Sequence, residues 1–214
     1  MIKYEKLGIF LSKPIALIFV LVYLLQSALI IFLVKDKFDL EKQIDFQRKR
    51  ILELEEKQKI LKVIEDFQIG FTDKEVGELT EVISSECKKY EYDPLFLLSL
   101  IITESSFKRH RVSPKGAEGL MQIKPMTGRG LASKIGVDWE NSRTLQEPEY
   151  NVQMGSLHLF ELILKFKDVK KALISYNLGE TATMKKIRLN EPLPRSYLDK
   201  VMRNYEMLKE KYKS

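Results

Sequence analysis

Residues 14–34 carry no charged side chain, and this constrains the chain more than any other feature. Almost every residue in the run is apolar, with Gln26 and Ser27 the only clearly polar interruptions and Tyr23 lying mid-span. A bilayer core about 30 Å thick needs roughly 20 helical residues to cross it, and the run has that length. Pro14 stands where the first turn of a helix tolerates proline. A cleavable leader would have an apolar region of about 7–15 residues ending at small side chains. Here the run is longer, and it ends Ile30-Ile31-Phe32-Leu33-Val34. It therefore reads as an uncleaved anchor. No second run of this kind exists, which excludes a polytopic membrane protein, while the run itself excludes a uniformly soluble chain. Lys3, Lys6 and Lys13 precede the span and Lys35, Lys37 and Lys42 follow it. Long C-terminal domains translocate largely regardless of charge, so these flanks do not set the orientation.

Beyond the span the chain is heavily charged. Residues 36–68 hold no glycine or proline and are rich in Glu, Lys, Gln, Leu and Ile. Ile44, Ile51, Leu54 and Leu61 fall near heptad spacing, with Gln47 and Gln58 at the other seam positions. Two readings fit: a coiled-coil stalk through which two chains associate, or one amphipathic helix lying on the next domain. As a continuous helix, the stalk over 35–70 would reach about 50 Å. Gly70 and Thr72-Asp73 then supply a stop and a new helix cap, which puts the domain boundary there.

From residue 71 to 214 the apolar periodicity is helical nearly throughout, and no convincing strand alternation exists. Helices are predicted over 73–89, 94–103, 125–135, 147–166, 169–176, 180–188 and 194–211. The fold class is all-α, and about 140 residues suffice to bury a core. Cys87 lies on an apolar helix face and reads as core. As the single cysteine it excludes an internal disulfide. With only His110 and His158 beside it, a Cys/His zinc site cannot be assembled. No metal and no cofactor are expected. The net charge of +6 is spread along the chain, and no basic cluster with interleaved aromatics points to nucleic acid.

Glu104 stands out chemically. It ends the most hydrophobic helix, where apolar surroundings and the negative end of the helix dipole both disfavour ionisation. A carboxyl still protonated near neutral pH is what a general acid requires. On position alone, an ordinary polar residue at a helix end is the simpler reading.

The segments around it change that. Glu104-Ser105-Ser106-Phe107 is followed by Ser113-Pro114-Lys115-Gly116-Ala117-Glu118-Gly119-Leu120-Met121-Gln122, then Ser175-Tyr176-Asn177-Leu178-Gly179, and then Tyr197. In this order, over about residues 80–205, the motifs E-S-x-F, G-L-M-Q, Y-N-x-G and a late Tyr resemble the soluble-lytic-transglycosylase (SLT) type of lytic transglycosylase, glycoside hydrolase family 23. The resemblance implies a lysozyme-like helical catalytic domain that cleaves the MurNAc-β-1,4-GlcNAc bond of peptidoglycan, leaving 1,6-anhydro ends. It implies Glu104 as the single catalytic acid, then base. Ser113, Met121, Gln122, Tyr176, Asn177 and Tyr197 are implied in substrate binding or beside the acid. Without it, Met121, Tyr176 and Tyr197 read equally well as core. Gly116 and Gly119 suit a loop passing close to a sugar, or ordinary turns. Glu118 is the nearest second carboxylate in sequence, yet it could as well face solvent. One departure is clear: many members carry a Glu-Thr pair before the late tyrosine, where this chain has Leu193 and Pro194.

The resemblance also implies an arrangement. Residues 1–13 would be cytoplasmic and 14–34 would cross the bacterial inner membrane. Residues 35–70 would form the stalk, and 71–214 the periplasmic catalytic domain acting on glycan strands. The partner envelope machine, if the enzyme serves one, is not named by the sequence. Two alternatives stand beside it: a lysozyme-like hydrolase of the same fold, and a non-catalytic murein-binding scaffold.

Overall fold

The computed structural model describes residues 13–212; the cytoplasmic segment expected over the first residues lies almost wholly outside them. The chain divides into two units, Met1–Glu53 and Leu54–Ser214. The described part of the first unit is a single helix, the beginning of α1 (Lys13–Phe67). It is long and apolar enough to cross a membrane, with a mean hydropathy of 2.8 over its most apolar window. None of that window is buried by protein. Further along, Ile44 and Ile51 of the heptad pattern are also exposed.

The second unit starts inside α1. Leu54 is exposed, but Ile60, Val63 and Ile64 are fully buried, the i, i+3, i+4 stripe by which a surface helix docks. Leu61 packs partly on the same core. The compact unit thus begins well before Gly70, where turn chemistry had suggested a boundary. The stop at Gly70 is real as local structure, with φ +88°. It turns the chain within the unit, because the residues preceding it already belong to the core.

Among the described residues eight helices follow: α2 (Asp73–Tyr90), α3 (Pro94–Ser105), α4 (Pro125–Ile135), α5 (Arg143–Gln146), α6 (Pro148–Phe166), α7 (Val169–Leu178), α8 (Glu180–Arg188) and α9 (Ser196–Lys211). Local chemistry marks their starts. Thr72 and Glu75 form a reciprocal capping box for α2. The Asp93 side chain accepts from the Leu95 and Phe96 amides at α3, whose first residue is Pro94. Asp168 does the same for Lys170 and Lys171 at α7. Among the described residues, pairing of β type is limited to three isolated bridges, at 69–108, 112–118 and 118–123. The expected helices are all present. The short α5 was not anticipated, and α9 opens two residues later than predicted.

The central element is α3. Leu97, Leu98, Leu100 and Ile101 are completely buried, as an apolar helix without a polar face must be. α2 packs on it, and α9 runs alongside it. Tyr205 donates to Asp93 Oδ2 at 2.7 Å, and Asn204 donates to Thr103 Oγ1 at 2.8 Å. These bonds tie α9 to both ends of α3 and fix the register that brings Tyr197 to Glu104. Cys87 is buried in the same core. Leu193 packs partly against it, and Pro194 beside it is exposed.

Candidate active site

Glu104 occupies the last turn of α3, on the wall of a cleft of about 860 Å³. The chain leaves the helix through two consecutive left-handed residues, Ser106 (φ 53°) and Phe107 (φ 55°). Phe107 is fully buried, and this anchors a turn that L-residues adopt only under constraint. Burial pushes the Glu104 carboxyl from its ordinary value of 4.5 up to about 7; the Tyr197 hydrogen bond and the charges of Lys200 and Arg111 oppose that rise. Tyr197, in the first turn of α9, donates its hydroxyl to Glu104 Oε1.

The loop after α3 forms the next wall. Gly116 N donates to Ser113 O at 2.9 Å, closing a tight turn with Pro114 second, and Ala117 N donates to Ser113 Oγ at 3.0 Å. The next turn brings Gln122 to the cleft with φ 51°. Its amide nitrogen donates to Arg111 O at 3.0 Å and Gly119 O at 2.8 Å. Those bonds spend the donor inside the protein and leave the amide oxygen for a ligand.

Beneath this loop lies Asn151 of α6, which is fully buried. Its Oδ1 accepts from Met121 N at 2.7 Å, and its Nδ2 donates to Glu118 O and Leu145 O, each at 2.9 Å. A Cβ at Gly119 would fall 2.2 Å from Asn151 Nδ2, so only glycine (φ +78°) fits there. Tyr176 of α7 completes the support by donating to Met121 O at 2.8 Å.

The cleft gathers Glu104, Ser113, Gln122, Tyr176 and Asn177 on its walls. It does not gather all the expected residues. Met121 is fully buried with its sulfur against Gly155, where a Cβ would come within 2.3 Å of it. Its side chain belongs to the core, and its backbone does the positioning. Tyr197 stands behind Glu104 rather than on the wall. Glu118 is not on the wall either; its carboxylate accepts from Gln146 Nε2 at 2.5 Å. The other cleft acids, Glu161 and Glu180, pair with Lys134 and Lys165, each at 2.5 Å.

Sequence reasoning missed Asn151 and His158. His158 lines the cleft with its ring centroid 5.2 Å from that of Tyr176, and burial lowers its pKa, favouring the neutral imidazole. The available signal was helical spacing: Gly155, His158, Glu161 and Leu162 share one face of α6. A smaller hollow of about 320 Å³ near the start of α2 is lined partly by Glu75, whose carboxylate is already held by Arg109 and Thr72.

Comparison with known proteins adds a family match. Residues 81–198 match the model of the transglycosylase SLT domain. A transglycosylase of Enterobacteria phage PRD1 is 30% identical over 128 residues, covering 60% of this chain and 43% of that protein. Membrane-bound lytic murein transglycosylase C of Actinobacillus pleuropneumoniae (serotype 5b) is 32% identical over 114 residues, 49% of this chain and 31% of that one. The match thus spans less than half of either relative. Among solved structures, the 70 kDa soluble lytic transglycosylase of Escherichia coli superposes with a TM-score of 0.55 at 18% identity, covering 71% of this chain and 26% of that one. An inactive mutant of lytic transglycosylase Slt from Pseudomonas aeruginosa gives a TM-score of 0.53 at 20% identity, covering 61% and 24%. These two share the all-helical, lysozyme-like fold.

Proposed function

Because this chain belongs to the transglycosylase SLT domain family, we propose that it is a membrane-anchored peptidoglycan lytic transglycosylase. Glu104 acts alone. Protonated, it donates its proton to the oxygen of the MurNAc-β-1,4-GlcNAc bond as the C1–O bond breaks. The oxocarbenium-like centre at C1 then takes the C6 hydroxyl oxygen of the same muramoyl residue, and the Glu104 carboxylate accepts the hydroxyl proton. One glycosidic bond breaks and one forms, water is not consumed, and the carboxyl returns to its starting state.

The observation that carries this reading is Glu104 itself, a carboxyl at the cleft wall pushed up to about 7 by burial. A proton donor of that strength is poised for work near neutral pH. A two-carboxylate glycosidase needs a second acid across the bond. Glu161 and Glu180 are engaged by lysines and Glu118 lies off the wall, which favours an internal nucleophile. Ser113 and Gln122 would hold the N-acetyl and hydroxyl groups, with Tyr176 and Asn177 beside the acid. No cofactor takes part.

Residues 14–34 anchor the enzyme in the inner membrane, and its substrate places the C-terminal domain on the periplasmic side. Residues between the span and the compact unit act as a helical spacer. The test is digestion of purified sacculi by the full chain in non-ionic detergent, beside Glu104→Gln, with mass spectrometry of the muropeptides. Muramoyl ends lacking one water, absent with Glu104→Gln, are the expected result. Reducing ends would mean a hydrolase. Binding without any product from the parent chain would mean a scaffold.

A further inference from the structure

The cleft is electrically unbalanced in one place. Six of its lining residues carry an ammonium or a carboxyl group: Lys115, Lys124, Lys134, Glu104, Glu161 and Glu180. Lys134 is matched by Glu161, and Glu180 by Lys165. Glu104 is turned toward Tyr197 and shielded by burial. Lys115 and Lys124 remain, with no acidic partner among the described residues. Both are exposed, and both lie two residues from a predicted sugar contact, Lys115 from Ser113 and Lys124 from Gln122.

Neither is carried on slack chain. Lys115 sits in the turn closed by Gly116 N to Ser113 O, between Pro114, whose φ is locked, and Gly116 at φ +71°. Lys124 follows Ile123, which is nearly fully buried and exchanges two backbone hydrogen bonds with Glu118, each 3.0 Å. It precedes Pro125, the first residue of α4. The backbone therefore fixes the points on the cleft wall from which two flexible lysine side chains reach, so engaging a ligand orders the side chains and not the loop.

We propose that Lys115 and Lys124 form a carboxylate subsite, which reads the acidic arm at C3 of the muramoyl residue. This rests on the reading of the cleft as a murein site. The sugar backbone of murein is neutral, and its negative charge lies on that arm. The charge is the lactyl carboxylate where the peptide has been removed, or the carboxylates of the peptide where it remains. Two uncompensated cations distinguish such a strand from a neutral N-acetylglucosamine polymer, and steer it into the cleft.

The experiment uses the full chain in non-ionic detergent on three materials. These are intact sacculi, amidase-stripped strands with free lactyl carboxylates, and stripped strands whose lactyl carboxylates are converted to methylamides. Initial rates are taken at about 50 and about 300 mM salt, where screening lengths differ by more than twofold. Rates on charged strands are expected to fall with salt, and those on methylamide strands to be low and insensitive to it. Lys115→Gln with Lys124→Gln is expected to cost about tenfold in kcat/KM on charged strands and to flatten their salt dependence. The matching Lys→Arg pair should restore both. Sensitivity on stripped strands assigns the lactyl carboxylate, and sensitivity confined to sacculi assigns the peptide. Equal rates on all three materials, or a salt dependence unchanged by the Gln pair on every one of them, would overturn the subsite. Co-sedimentation of Glu104→Gln with the same materials, with and without the Gln pair, reads binding alone. A parent chain that turns over none of them therefore refutes the proposed activity while the subsite is still tested.

Discussion

Tyr197 donates its hydroxyl to Glu104 Oε1 across 93 residues of sequence, from the first turn of α9. The bond works against burial: desolvation raises the carboxyl to about 7, and the tyrosine pulls it down. Burial in turn pushes the Tyr197 hydroxyl well above its ordinary value, so it remains a donor at any working pH. The pair therefore holds a carboxyl that is a usable acid while neutral and a stabilised base once ionised.

Removing that donor moves the acid in a definite direction. Tyr197→Phe deletes a bond that favours the ionised carboxylate, so the Glu104 pKa rises further. The alkaline limb of the pH–rate profile should shift to higher pH, and kcat should fall about tenfold, since a bond to a charged group is worth roughly 1.5–3 kcal/mol. Muropeptide release measured from pH 5 to 9 checks this. A limb that moves to lower pH would contradict the assignment.

Glu104 should also tax the fold. Its folded pKa of about 7 exceeds its ordinary value of 4.5. Below the lower value the group is neutral in both folded and unfolded chains and costs nothing. As pH rises through the higher value the folded chain loses that relative stability, by roughly 3 kcal/mol at most. Glu104→Gln removes the titration. The variant should match the parent near pH 4 and exceed it near pH 8 in urea denaturation of the full chain in detergent.

Much of this arrangement was legible in the sequence, because the signals were local. The charge-free run, the Asp93-Pro94 start and the apolar run of α3 each act within a few residues. Glu104, Ser113 and Gln122 were found through segment motifs, which the cleft then gathers. The resemblance implies Met121 in substrate binding, through its motif; the structure buries its side chain and uses its backbone N–H and C=O, which carry no residue-type signal. Asn151 was invisible for the same reason, since its side chain bonds only main-chain atoms, two of them 30 and 33 residues away. The boundary at Gly70 was read from turn chemistry, which cannot report that Ile60, Val63 and Ile64 dock elsewhere.

Asn151 makes a prediction of its own. Asn151→Leu is close in volume, but it strands Met121 N and Leu145 O in the interior and leaves Glu118 O to Ile123 N alone. Each buried group left unsatisfied costs about 1–3 kcal/mol, so a loss of roughly 4 kcal/mol is expected by thermal or urea unfolding. Gly119→Ala should act on the same loop through its clash with Asn151. The two changes should therefore be non-additive in a double-mutant cycle. Additive losses would mean that Asn151 does not support the Gly119 turn.

The last prediction concerns where the compact unit begins. A chain started at residue 54 keeps Ile60, Val63 and Ile64, all fully buried, and the Lys57–Glu81 ion pair at 2.6 Å. One started at residue 70 loses them and uncovers the core they shield. Burying a large aliphatic side chain is worth about 1.5–3 kcal/mol, so the shorter chain should be less stable by roughly 5 kcal/mol, a large part of a typical domain's total. Tyr212 and Lys211 would also lose their partner Asp66, the lysine at 2.7 Å. Circular dichroism melts of the two truncations decide it. Equal melting temperatures would show that the end of α1 rests on the domain without stabilising it.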